Sequence, residues 1–495
     1  MEQTATGTVI RTTDRVKQAL SVEMLACIAA GAAAAYFTTA SLLLHFSFHS
    51  YGWDLGIFDQ VLWNTAHGHP FAYSFRGYIY LGDHFQPILL FLTPLAYLEA
   101  GPAPLLAVQG IAFGSAVVPL YLAARRLAGT VAPWFAIGAY VFGLAQARAV
   151  TYDFHPECFA PLLAFTALWA LASERPRWFI ASALAMMLLK EDMVLLVLGM
   201  CWVAWLGFGQ VRAARVTAGS AAVYALVVSA IVMPLIIGSD SNPMRERYAY
   251  LGDNAAEMAW TALTHPNVVI DHLWARSSLD ATFLLLAGAG FLPLLAPRLL
   301  PPLALLLLEP FLAEHGAQQN LHLHYMVVPA AFAMVLAVMA LRSPPWEKVP
   351  ALITHRNQAI AVAGAAMLAG ALIVFARESP LPPSFQADTG RFNVDEHSRT
   401  AADMVSMVPG GVPASAQATY VPHLSQRRHI YEFPRVLDSQ WVLLDTQREI
   451  PGYDFPGFQD CLDELPRLGF RLVREVDGIT LWHREDIGAQ PDHCG

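Results

Sequence analysis

Apolar stretches of roughly twenty residues recur along most of this chain, and they constrain its fold more than any other feature. A bilayer's hydrocarbon core is roughly 30 Å thick and a helix rises 1.5 Å per residue, so a crossing takes about 17–25 largely apolar residues. By that rule spans fall near 21–46, 104–124, 130–147, 157–173, 178–190, 191–209, 216–237, 281–297, 299–313, 323–341 and 358–376, about eleven in all. Only 14% of the residues are charged, against about 25% in soluble domains. The expected fold is an α-helical polytopic membrane protein. The stretch 88–101, short and carrying Pro94 and Glu99, reads as a helix lying in the interface.

Basic residues orient the spans. With the N-terminus in the cytoplasm, alternation puts Arg125 and Arg126, Arg175 and Arg177, Arg212 and Arg215, Arg298, and Arg342, Lys348 and Arg356 on the inner side. Counting 88–101 as a crossing would move most of them outside. The first long apolar run follows Arg11, Arg15 and Lys17 and is long enough to span, so it reads as an anchor and not a cleaved signal. The chain divides into a cytoplasmic segment 1–20, a multi-span domain 21–376 with outer loops 47–103, 148–157, 238–280 and 314–323, and an extracytoplasmic domain 377–495.

That tail has the rhythm of a small α/β domain. Residues 398–408 have helical spacing, 429–433 and 441–445 read as strands, and 470–483 reads as a hairpin turning at Asp477-Gly478. Cys461 and Cys494 can pair if this domain is outside the cell; free thiols are the alternative. The cysteines show no CxxC pair or zinc spacing, and no Lys/Arg run tracks nucleic acid.

The outer loops gather the unusual polar residues, and ionisable groups at a membrane border are costly to desolvate. Asp54 and Asp59 lie in GWDLGIFDQVLW. On a helix they would stand about 140° apart and not share a face. Asp54 is either a helix N-cap or a carboxylate that holds substrate or takes a proton from a hydroxyl. Asp83-His84 and Asp153-Phe154-His155-Pro156-Glu157 are acid–histidine groups that can bind a divalent metal, orient a sugar or bond each other. Neither has metal-ligand spacing by itself, and the sequence requires no cofactor. Lys190, followed by Glu191 and Asp192, meets a lipid phosphate or pairs internally; Arg76 is a second phosphate candidate. His322 and His324 follow Gln318, Gln319 and Asn320 and either face interfacial water or help hold a phosphate or sugar. Arg245, Arg247, Tyr248 and Tyr250 either grip a headgroup or belong to an interfacial helix.

The segments Gly52–Gln60, GDHFQPI from Gly82, DFHPE from Asp153, LKED from Leu189 and residues 412–434 resemble a bacterial membrane family, the domain of unknown function 2079, over about 45–450. That family in turn resembles the GT-C glycosyltransferases, which have a multi-span body, an acidic motif in the first outer loop and polyprenyl-phosphate sugar donors. The resemblance implies an inverting transfer of sugar, in the bacterial plasma membrane, to an extracytoplasmic glycan, lipid or protein acceptor. Asp54 would take the acceptor's proton and Asp59 or Asp83 would orient acceptor or sugar. Lys190, with His155 or His322, would face the departing lipid phosphate. Many GT-C members have adjacent acids where this chain has Asp-Leu, so the choice between Asp54 and Asp59 stays open. A transporter or lipid flippase is the second reading. Polar groups at span ends and the lack of a visible repeat speak against it. A non-catalytic scaffold is the third.

Overall fold

The structure, a computed structural model, describes residues 3–238, 243–342, 356–447 and 458–485. Lys348 and Cys494 lie outside these residues, and Cys461 is buried in the C-terminal domain.

Among the described residues, four helices are long and apolar enough to cross a membrane by length and composition: Val22–Phe46, Ala103–Ala128, Val211–Ile237 and Arg356–Glu378. By these criteria the count of about eleven spans is not confirmed. Every expected segment contains helix, but several are broken or cut short. Residues 130–147 break at Phe142-Gly143 into helices Ala132–Val141 and Leu144–Val150. The helix Arg276–Gly288 stops before Gly290 and Phe291, both at positive φ. Pro301 and Pro302 open the helix Pro301–Phe311, and Pro310 sits inside its last turn. A proline ring removes a helical hydrogen bond and clashes with the carbonyl four residues back, so such segments end early. The shorter pieces still pack as one body, with Phe165, Phe179, Phe332 and Leu336 fully buried. The stretch Ile88–Leu98 is helical but too short to cross, and it leaves Phe91, Tyr97 and Leu98 well exposed.

The first long helix ends where Phe48 takes a left-handed backbone. There follow a tight turn, Gly52–Gly56, and the helix Ile57–Ala66. On the same face sits the C-terminal domain, built around β1 (Ala414–Ala416), β2 (Ile430–Glu432), β3 (Trp441–Asp445), β4 (Arg471–Val476) and β5 (Ile479–His483). The sheet order is β2-β1-β3-β5-β4. β1 runs parallel to both β2 and β3, and β5 is antiparallel to β3 and β4. The β4–β5 hairpin turns at Asp477-Gly478, both with positive φ, the backbone that matches the twist of the two strands. A helix, Glu396–Ser406, starts at Asp395, whose carboxylate accepts the Ser398 N–H at 2.8 Å.

The domain is bonded to the first loop at several points. Ser425 Oγ donates to Asp59 Oδ2 at 2.6 Å, Gln60 Nε2 donates to the Arg428 carbonyl at 3.1 Å, and Ser74 is bonded to both backbone groups of Ile430. His423 stacks between His45 and Phe48 at the end of the first long helix, with ring centroids 4.1 and 4.0 Å away.

Candidate functional site

Asp54 is not helical. Its φ of 75° and ψ of −82° place it near the rare γ-turn conformation, which for a residue with a Cβ costs on the order of 1–3 kcal/mol. Nor is it an N-cap through its side chain: Ile57 N–H bonds to the backbone carbonyls of Gly52 and Asp54. The carboxylate is thereby turned toward the loop 151–157. Tyr152 donates its hydroxyl to Asp54 Oδ2 at 2.8 Å, and His155 Nε2 lies 3.3 Å from the same oxygen. A third of the Asp54 side chain stays accessible. Burial pushes its pKa up, but the neighbouring His155 and the Tyr152 hydroxyl more than reverse this, and the net shift is downward. Asp54 is therefore ionised at neutral pH.

His155 is fixed from several sides. Its backbone N–H donates to Gln109 Oε1 at 3.1 Å, and Phe58 meets its ring edge-on. The ring of His324 stacks on it with centroids 3.5 Å apart, and Tyr152 stacks on it at 5.5 Å. The His324 ring also lines a narrow cleft of about 50 Å³ with Lys190, Glu157, Asp192, Glu309 and Tyr325. Lys190 Nζ sits 2.9 Å from Asp192 Oδ2 and 3.4 Å from Glu157 Oε1. Three buried polar atoms of this group have no partner: Glu157 Oε2, Asp192 Oδ1 and His324 Nδ1. On the far wall Glu309 accepts from Tyr248 and Gln318, both at 2.7 Å, and Arg247 backs Gln318 at 2.9 Å.

The remaining candidates do not line this cleft. Asp83 is not part of the lysine cleft; it is held by Tyr73 and by Tyr78 at 2.7 Å, and Arg76 Nε is 3.3 Å away. That pairing also occupies Arg76. His84 Nδ1 lies 2.9 Å from Glu191 Oε1, whose other oxygen accepts the Phe85 N–H at 2.8 Å. Glu191 thus fastens the first loop to the turn after Lys190. Asp153 is buried beside Asp54; one oxygen accepts the Tyr51 N–H at 3.0 Å and the other has no partner. Burial raises its pKa well above the usual carboxylate range. His322 lines a different, wider cleft of about 850 Å³ with Tyr51, Arg148, Tyr152, His315 and Arg391. Leu321 and Leu323 both have positive φ, and the turned backbone sends the two histidines to different clefts.

Asp59 is 2% exposed and bonded to Ser425, with Gln426 Nε2 3.3 Å away. It ties the C-terminal domain down and does not join the Asp54 group. Burial raises its pKa to about 6, against the smaller opposing effect of those two hydrogen bonds. The folded state thus prefers the protonated acid: the stabilisation is full below about pH 4 and is lost as the pH climbs past about 6. Asp59→Asn should therefore be less pH-sensitive than the wild type between pH 4 and 7, and more stable at pH 7.5 by about 2 kcal/mol. Thermal unfolding of both proteins in detergent across that range checks it.

Tyr152 and Glu309 are site residues that sequence reasoning passed over. Glu309 had a signal, a lone acid within an apolar run; Tyr152 stood in the outer loop 148–157 with none. Among the described residues no three acid, histidine or cysteine side chains are grouped to hold a metal ion.

Residues 44–481 match the family described as a predicted membrane protein, DUF2079. No curated protein matches the chain. Among solved structures, it is similar to ArnT from Cupriavidus metallidurans bound to undecaprenyl phosphate, at 12% identity, with 92% of this chain and 98% of that one covered and a TM-score of 0.47. It is also similar to the Archaeoglobus fulgidus oligosaccharyltransferase in complex with zinc and sulfate, at 14% identity, with 83% and 68% covered and a TM-score of 0.40.

Proposed function

The chain belongs to the DUF2079 family of membrane proteins, and from that premise we propose that it is an inverting glycosyltransferase acting at a membrane face. Its donor is a sugar on a polyprenyl phosphate and its acceptor a polar hydroxyl outside the cytoplasm. One observation carries the reading: an ionised, partly accessible Asp54 is held in a strained turn beside a histidine–tyrosine stack that leads to the Lys190 cleft. The resemblance of the family to GT-C enzymes, in architecture and in one acidic position of the first outer loop, points the same way.

In the proposed step the acceptor's O–H gives its proton to the Asp54 carboxylate while its oxygen forms a bond to the anomeric carbon. The bond between that carbon and the phosphate oxygen breaks, and its electron pair leaves with the lipid phosphate. Tyr152 and His155 hold the carboxylate in place. Lys190 faces the charge that grows on the leaving group. Because Glu157 and Asp192 already share that lysine, a neutral donor on the cleft wall, the Tyr325 hydroxyl, must contribute as well.

The test is reconstitution of the purified protein in liposomes with a panel of radiolabelled polyprenyl-phosphate sugars and extracted envelope acceptors. Labelled product together with free polyprenyl phosphate is the expected result. A wild type that moves the labelled lipid between leaflets without breaking the sugar–phosphate bond would show a flippase instead.

A further inference from the structure

The turn that carries Asp54 is walled on both sides. On one side Tyr51 N–H bonds to Asp153. On the other lies the C-terminal domain, where Gly52 N–H donates to the Ala418 carbonyl at 2.8 Å. The two glycines that bracket Asp54, Gly52 and Gly56, both lie against Val421 of that domain. A Cβ on Gly56 would stand 2.9 Å from Val421 Cγ1, and its next neighbour would be 3.6 Å away. A Cβ on Gly52 would stand 2.9 Å from Val421 Cβ and 2.8 Å from Glu432 Oε2.

These glycines are not needed for their backbone torsions. Neither has positive φ, and Gly56 is plainly helical at φ −63° and ψ −40°. An alanine would satisfy that backbone better, since glycine in a helix is destabilising. What both positions require is space, and at Gly56 the space belongs to a single methyl group of Val421. Meanwhile Asp54 between them holds a conformation it would leave if unsupported.

We infer that Val421 is a positioning residue, and that the C-terminal domain completes the site by pressing this side chain into the notch between Gly52 and Gly56 so that the Asp54 carboxylate stays aimed at Tyr152 and His155. The domain is then part of the site and not an appendage beside it. The inference extends the reading of Asp54 as the working carboxylate, but the clamp itself can be tested without any substrate.

The experiment uses the full chain in nanodiscs with Gly56→Ala, Val421→Ala and the double variant, and follows amide hydrogen exchange of residues 50–57. In Gly56→Ala the added methyl meets Val421, and exchange at Gly52 should rise about tenfold or more. Val421→Ala alone empties the notch, and exchange there should rise as well. In the double variant the methyl added at position 56 fills the space given up by the trimmed Val421 side chain, and exchange should return toward the wild-type rate. With a lipid-linked sugar that the wild type uses, kcat should fall about tenfold in Gly56→Ala, with KM for the donor little changed, and recover in the double variant. A general loss of folding would not be cured by removing one more side chain, so the rescue separates positioning from damage. Unchanged exchange in Gly56→Ala, or raised exchange that Val421→Ala fails to restore, overturns the clamp. If exchange follows the expected pattern while every sugar donor is inert, the clamp stands and the glycosyl-transfer reading falls.

Discussion

Asp54→Asn is expected to lower kcat about a thousandfold while Asp59→Asn stays within about threefold of the wild type. Removing a positioned general base typically loses 10²–10⁴ in rate. The asparagine keeps an oxygen for the Tyr152 hydroxyl, so the turn and the loop 151–157 should hold. Only the ability to take a proton disappears, and KM for the donor should barely move. Asp59, by contrast, is sealed under Ser425 and Gln426, where no acceptor hydroxyl can reach it. Initial rates with a saturating lipid-linked donor decide the matter. An Asp54→Asn enzyme with more than a tenth of the wild-type rate, or an inert but folded Asp59→Asn, would exchange the roles of the two acids.

The second large effect is on stability. Lys190→Met should destabilise the protein by about 3–5 kcal/mol, the usual consequence of removing one partner from a buried ion pair. Glu157 and Asp192 would be left without their shared cation, and each already has one oxygen with no partner. Adding Glu157→Gln to Lys190→Met should recover part of the loss, because it removes one of the stranded charges. Denaturant unfolding in mixed micelles, followed by tryptophan emission, measures both. A Lys190→Met midpoint equal to the wild type would mean that the cleft is open to water and the three groups are solvated.

The helical body was legible because it rests on composition. A run such as 216–237 has few ways to satisfy its backbone in lipid other than as a helix. Where the expected spans were cut short, the breakers were visible as Gly143, Gly290, Pro301 and Pro310, yet a window of mean hydropathy averages over them. In the C-terminal domain, β3 and the β4–β5 hairpin announced themselves by aliphatic and aromatic residues and a tight-turn pair. β1 did not. Ala-Ser-Ala has neither bulk nor alternation, and it forms a strand because β2 and β3 flank it. The same distinction governs the site. That polar loop residues matter follows from the energetics of desolvation, but which ones meet is a tertiary fact. Asp54 and Asp59 are both acids among aromatics in one short segment, and no local pattern reveals that one sits at φ 75° while the other is covered by Ser425. Arg76 and Asp83 came from the same loop and neutralise each other there.

The sheet has two edges with opposite surroundings. β2 meets the first loop through Ser74, whereas most of β4 is exposed along its length. A long stretch of unpaired backbone invites pairing with another chain, and on β4 Arg471, Arg474 and Glu475 supply the charges that discourage it. A fluorophore attached through Val473→Cys, on exposed β4, would therefore sit at the edge of the sheet away from the Ser74 seam and follow the whole domain while the turn that carries Asp54 keeps working.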